Sequence, residues 1–168
     1  MTRDQEATRR FYEELLGMPL IATWSEKMDI FGKERSYCHT FFALADGGAL
    51  AFFQFADEED MESFDPPKQQ RPFDHIALKC DQEYQQQIFE KLQAAGYESP
   101  QLMVWEHGYC RSLYVTDPNG LRLEFTVDHA CSMAEWEVRR SDAHAVLKRW
   151  LAGDHTTNNT PHYMVEKP

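Results

Sequence analysis

Two stretches of this 168-residue chain, about 75 residues apart, carry the same order of elements, and that repetition constrains the fold more than any other feature. The first opens with a predicted helix from Arg3 to Leu16, where Ala7, Phe11, Leu15 and Met18 recur at helical spacing. Thr2 followed by Gln5 resembles a capping box, and Gly17 supplies a C-terminal stop. Strands are predicted at Pro19 to Trp24, Tyr37 to Leu44 and Ala49 to Phe55, the last after the Asp46-Gly47-Gly48 turn. The second stretch reads as a strand from Phe73 to Lys79, then a helix capped by Asp81, striped by Tyr84, Ile88 and Leu92, and ended by Gly96. Strands follow at Leu102 to Trp105, Ser112 to Thr116 and Leu121 to Val127, the last two joined by Asp117-Pro118-Asn119-Gly120. Phe11-Tyr-Glu-Glu-Leu-Leu-Gly17 and Ile88-Phe-Glu-Lys-Leu92 occupy matching helices, and each is followed by a strand ending in Trp, Trp24 and Trp105.

A βαβββ unit cannot close a sheet alone, so two should pair. The expected fold is α+β: two paired βαβββ modules forming a curved mixed sheet around a cavity, with a C-terminal helix added. The opening strand of module one is missing, because the sequence starts where its helix starts. Residues 1–56 form the first module, 57–72 an acidic exposed connector with Pro66-Pro67, and 73–128 the second module. Residues 129–168 hold a helix from Met133 to Leu151, with Trp136, Val138, Val146 and Leu147 as packing residues, and an irregular polar tail from Gly153.

Composition narrows the function. A net charge of -11 argues against a nucleic-acid partner, which needs a basic face. No apolar run approaches the ~18 residues that span a membrane. Cys38, Cys80, Cys110 and Cys131 form no C-x-x-C pair and no export signal precedes them, so reduced thiols in a cytoplasmic protein are expected. Aromatic residues make up 13%, enough for a core or cavity of flat side chains. The sheet edge left by the missing strand predicts a homodimer.

His75 lies inside the apolar strand Phe73-Asp-His-Ile-Ala-Leu78, where its ring needs a partner or a cavity. Glu124 lies inside Leu121-Arg-Leu-Glu-Phe-Thr-Val127, where a carboxylate needs compensation. Imidazole and carboxylate on two strands of one sheet are ligand types for a first-row divalent metal; pairing of Glu124 with Arg122 or Arg111 at a sheet edge is the alternative. A Pro118-Asn119-Gly120 loop with Gly120 at positive φ would set Tyr114 opposite Glu124, whereas a two-residue loop would set Leu123 there. Phe41, Phe53 and Trp105 are candidate walls of an aromatic pocket, or plain core residues.

At these residues the sequence resembles the vicinal oxygen chelate superfamily of glyoxalases, bleomycin resistance proteins and extradiol ring-cleaving dioxygenases. The resemblance covers Thr2 to Val127. Thr2 to Leu20 is similar to the family's first helix and following strand, and Phe73-Asp-His-Ile-Ala-Leu78 to the strand opening the second module. His107 to Glu124 resembles the extradiol dioxygenase signature: His, five residues, an aliphatic, Tyr, two residues, an acidic residue, Pro, any residue, Gly, three residues and Glu. Trp105 departs from it, standing where a small or β-branched residue is usual. The resemblance implies that His75 and Glu124 are metal ligands, that His107 is the acid/base beside the metal and that Tyr114 hydrogen-bonds a substrate oxygen. It implies Fe(II), with Mn(II) or Zn(II) as alternatives, and a small aromatic substrate with O₂. The glyoxalase fourth ligand falls at Ala51 or Phe52, which favours a three-ligand dioxygenase cleaving a catecholic ring. The remaining His of the family's first strand has no counterpart; an upstream strand, a substitute such as His39, or a degenerate site would follow. The alternatives are a non-catalytic binder of an antibiotic or aromatic molecule and a glyoxalase-like lyase or isomerase.

Overall fold

The computed structural model describes residues 1–66, 73–159 and 162–168. Helix α1 (Gln5–Arg9) runs directly into a π-helical segment (Arg10–Leu15). Its N-cap is Asp4, which accepts from the Ala7 N–H, and not Thr2 as the capping-box pattern suggested. Thr2 is buried instead: its N–H donates to Phe53 O at 2.9 Å, and its hydroxyl meets that of Thr8 at 2.8 Å. Strands β1 (Leu20–Ile30), β2 (Lys33–Ala43) and β3 (Ala49–Phe55) form one antiparallel sheet. The β1/β2 hairpin extends well beyond the predicted strands, because Phe31 and Gly32 (φ 53° and 80°) make a tight turn whose twist suits a long ladder. The polar stretch between Ser25 and Ser36 gives no hydrophobic alternation from which to read it.

Module two follows the expected order: β4 (His75–Lys79), α3 (Gln82–Ala94), β5 (Leu102–Glu106), β6 (Cys110–Thr116) and β7 (Arg122–Asp128). The tail predicted as irregular contributes β8 (Tyr163–Val165), so this sheet runs β4-β7-β6-β5-β8, with β4 parallel to β7. The expected curved mixed sheet is thus two sheets, one per module. Their ladders correspond in register. Trp24, His39 and Phe53 form a cross-strand row in module one, as Trp105, Ser112 and Thr126 do in module two. The next row is Phe41 opposite Ala51 in one and Tyr114 opposite Glu124 in the other. The Thr2 bond to Phe53 O repeats that from Cys80 N–H to Thr126 O, also 2.9 Å, which fixes Ala51 as the counterpart of Glu124.

One core joins the modules. Phe42 and Phe52 from the first sheet and Leu113, Val115, Leu123 and Phe125 from the second pack around Phe11, Tyr12, Leu16, Ile88 and Leu92 of the helices. Two hydroxyls cross the seam: Tyr84 donates to Leu16 O at 2.7 Å, and Tyr12 donates to Asp117 Oδ2 at 3.0 Å. Burial, then the Asp117 charge, pushes the Tyr12 phenol far above its ordinary pKa, so it remains a donor.

The acidic connector is not simply exposed. Helix α2 (Glu58–Phe64), capped by Asp57, buries Asp60 and Met61. Asp60 Oδ1 accepts from Arg35 Nε at 2.9 Å and Lys33 Nζ at 3.0 Å, while Met61 packs with Tyr37 and Phe55. Burial disfavours the Asp60 charge, but these two cations outweigh it and hold the carboxyl below its ordinary range. Residues 67–72 of the expected connector lie outside the described residues. The C-terminal helix is α4 (Ser132–Leu151), and here the expected packing reverses: Trp136, Val138 and Leu147 are exposed and only Val146 is partly covered.

Tyr12→Phe should cost about 1 kcal/mol, because Asp117 keeps other donors but loses a buried one. Urea denaturation should show a lower midpoint with an unchanged slope.

Candidate metal centre

Gly120 takes φ 81° and the loop closes Tyr114 opposite Glu124, as the longer-loop reading required. Asp117 builds this turn by accepting from the backbone N–H groups of Asn119 (2.8 Å) and Leu121 (2.7 Å). Tyr114 and Glu124 thereby share the sheet face opposite the helices. The parallel β4/β7 pairing brings His75 alongside, with its Nε2 at 2.6 Å from Glu124 Oε2. Glu124 is only 7% exposed and meets this imidazole, while Arg111 turns to Glu106.

The other His75 nitrogen fixes the tautomer. Nδ1 lies 2.8 Å from Phe73 O, and a carbonyl only accepts, so Nδ1 carries the proton. Nε2 needs a second proton for its 2.6 Å contact with Glu124, and a cation taking the place of that proton would be held by the imidazole lone pair and the carboxylate oxygen. The donor set therefore fits a divalent ion at two positions. Among the described residues, no group of three His, Cys, Asp or Glu is placed to hold one. His39 is not the third donor. It stacks on Phe53 at 3.7 Å between centroids, contacts Phe41 and Trp24, and faces Glu26 at 3.4 Å in the first sheet.

Beside the pair, the Tyr114 ring stands edge-on to His75 at 5.6 Å, directly across the strand pair from Glu124. Burial first, and Glu124 second, raise the Tyr114 phenol well above the ordinary tyrosine range. The same oxygen lies 3.3 Å from His107 Nε2. His107 sits in a turn opened by Gly108 (φ 84°), anchored by Glu106, which accepts from Gly108 N–H and His129 at 2.8 Å each. Burial opposes the Glu106 charge, but these donors and Arg111 keep its carboxyl below the ordinary range.

His107 Nδ1 in turn meets His162 Nδ1 at 3.0 Å. His162 escaped the sequence reading, and the short Tyr163-Met164-Val165 run that seats it on β5 was the available signal. A polar line thus crosses the whole second sheet: His75, Glu124, Tyr114, His107, His162. Burial first and His162 second lower the His107 pKa, opposed in part by Glu124 and Glu106, so its imidazole is neutral at pH 7.

The expected pocket residues divide. Trp105 lies on the Tyr114 face, opposite Ser112. Phe41 and Phe53 lie in the other sheet, where their ring contacts among the described residues are with Trp24, His39 and Tyr37.

Fold and site together define a paired-module protein with a buried carboxylate and an imidazole paired on the open face of its second sheet. Residues 1–125 match the glyoxalase/bleomycin resistance protein/dioxygenase superfamily, and the chain belongs to it. A glyoxylase/bleomycin resistance protein/dioxygenase domain from Frankia sp. EAN1pec is similar at 20% identity and TM-score 0.57, over 77% of this chain and 87% of that one. The fosfomycin resistance protein FosX from Listeria monocytogenes, solved with Mn(II) and sulfate, is similar at 20% identity and TM-score 0.53, over 79% and 90%. FosX from Mesorhizobium loti is similar at 18% identity and TM-score 0.50, over 80% and 90%. No protein of curated function matches the sequence. Among the described residues no helix is long and apolar enough to cross a membrane.

The lowered His107 pKa sets a pH dependence. Between its folded value and 6.5 the unfolded chain binds more protons, so this contribution to stability rises with pH and is lost as pH falls below 6.5. His107→Gln should flatten that part of the profile in urea titrations across the interval; an unchanged slope would contradict the assignment.

Proposed function

We propose that this chain is a divalent-metal enzyme whose substrate presents two adjacent oxygen atoms, and that its reaction is extradiol-type cleavage of a catecholic ring with O₂. The supporting observation is the 2.6 Å approach of His75 Nε2 to Glu124 Oε2 with the opposite ring nitrogen tied to Phe73 O. These two side chains would hold Fe(II), with Mn(II) or Zn(II) as alternatives. When bound, the ion supplies a template and an electron path between ring and O₂.

The protein's own groups then have distinct tasks. Tyr114 keeps its proton at neutral pH and donates to a substrate oxygen, holding that hydroxyl toward Glu124. His107, neutral and within reach of the Tyr114 oxygen, accepts a proton from the bound catechol and returns it as the ring opens. His162 gives this proton a second station. Both oxygen atoms of O₂ remain in the ring-opened product. Trp105 borders the same face as a flat apolar wall. The four free cysteines accord with a cytoplasmic setting.

A non-catalytic binder of a flat aromatic molecule is the second reading. It is favoured by the aromatic face of Trp24, His39, Phe41 and Phe53, and by a ligand cluster of two rather than three. A glyoxalase-type lyase is disfavoured, since Ala51 stands at the position matching Glu124 and cannot supply a further carboxylate.

Anaerobic calorimetry with Fe(II), Mn(II) and Zn(II), followed by oxygen uptake over several catechols, separates these readings. The enzyme reading expects metal binding that Glu124→Gln and His75→Ala abolish, and metal-dependent oxygen consumption with a coloured ring-opened product. Catechols that raise Tm without metal and without oxygen uptake would establish the binder instead. In the active protein, His107→Gln should lower kcat by about 10²–10⁴-fold with little change in metal affinity.

A further inference from the structure

Helix α4 is turned inside out relative to a surface helix. Its covered stripe is Ser132, Glu135, Arg139, Val146 and Arg149, a mostly polar set lying against Tyr109 and the tail. Arg149 pairs with Asp154 and donates to Thr156 O there, and Arg139 pairs with Glu135. Its large apolar side chains are about half exposed or more instead: Met133 is 77% exposed, Leu147 55%, Trp136, which meets Tyr109 by one edge, 48%, and Trp150, which meets His155, 57%. These four, with Arg140 and Ala143 between them, fall at alternating spacings of three and four, the seam of a two-helix coiled coil.

We propose that this seam pairs antiparallel with α4 of a second copy of the chain, giving a two-fold symmetric dimer. The side chains specify both occupant and direction. Antiparallel pairing centred between Ser141 and Asp142 sets Met133 against Trp150, Trp136 against Leu147 and Arg140 against Ala143, each contact occurring twice. The long Arg140 side chain then passes over a small residue, whereas a parallel pair would set Arg140 against its own copy. The exposed flank of the seam carries Glu137, which meets Arg140 at 3.5 Å, with His144 and Lys148. Antiparallel pairing brings Glu137 of each copy to His144 and Lys148 of the other, so the surface is complementary to itself. A seam of this length with four large apolar residues per copy buries on the order of 1,000 Å², the lower bound of specific interfaces. It leaves the polar line on the second sheet untouched.

Sedimentation equilibrium with circular dichroism tests the arrangement. The wild-type chain should be a dimer. Leu147→Glu, at an exposed position, should leave helicity and Tm unchanged while weakening association by roughly 100-fold or more. Glu137→Lys should weaken it by about tenfold, and adding Lys148→Glu should restore it, since the swapped pair is again complementary only in the antiparallel arrangement. A monomer at every attainable concentration would overturn the proposal. So would a dimer indifferent to Leu147→Glu, which would place the interface elsewhere, such as the free edge of β3. Failure of Lys148→Glu to rescue Glu137→Lys would overturn the antiparallel register.

Discussion

The register of the β6/β7 hairpin is the constraint on which the site depends. Side chains alternate faces along a strand, so a loop one residue shorter would bring Leu123 opposite Tyr114 and turn an apolar side chain into the polar line. The turn avoids this because Gly120 adopts a left-handed conformation that other residues resist, and because Asp117 closes it with two backbone hydrogen bonds. Asp117 also receives the Tyr12 hydroxyl from the first module's helical segment. One buried carboxylate therefore ties the core between the modules to the geometry of the candidate metal centre.

The modules repeat a backbone and divide its chemistry. The row of Trp24, His39 and Phe53 matches that of Trp105, Ser112 and Thr126, and Phe41 with Ala51 matches Tyr114 with Glu124. Each polar position in the second sheet has an aromatic or small residue in the first. The first sheet's face is thus lined by flat rings, and the second's by the polar groups of His75, Glu124 and Tyr114. The family's paired-module design leaves such divergence free, because the packing of each sheet on its helix uses the opposite face of every strand.

Much of this was legible in the sequence because it rests on local rules. Helical stripes, glycine stops and the Asp-Pro-Asn-Gly turn marked most elements, and the loop length that aligned Tyr114 with Glu124 followed from turn chemistry. The proximity of His75 to Glu124 was readable only as the convergence of two costly polar groups in apolar strands. What escaped was set by tertiary contact. The β1/β2 ladder runs through polar residues, α2 forms where Asp60 finds Arg35 and Lys33, and β8 is a three-residue strand held by the edge of β5. His162 could not be placed without that strand. The orientation of α4 was misjudged because hydrophobic residues were assigned inward, whereas charged residues contact the tail.

The account stands on His75 and Glu124 sharing one ion, and long-range ¹H–¹⁵N NMR of the histidine side chains during a Zn(II) titration tests that most directly. Before metal is added, His75 should show both nitrogens hydrogen-bonded, Nδ1 to Phe73 O and Nε2 to Glu124. Zn(II) should then shift the Nε2 resonance, and Glu124→Gln should eliminate the response. A His75 whose nitrogen resonances ignore the metal would contradict the assignment of the site.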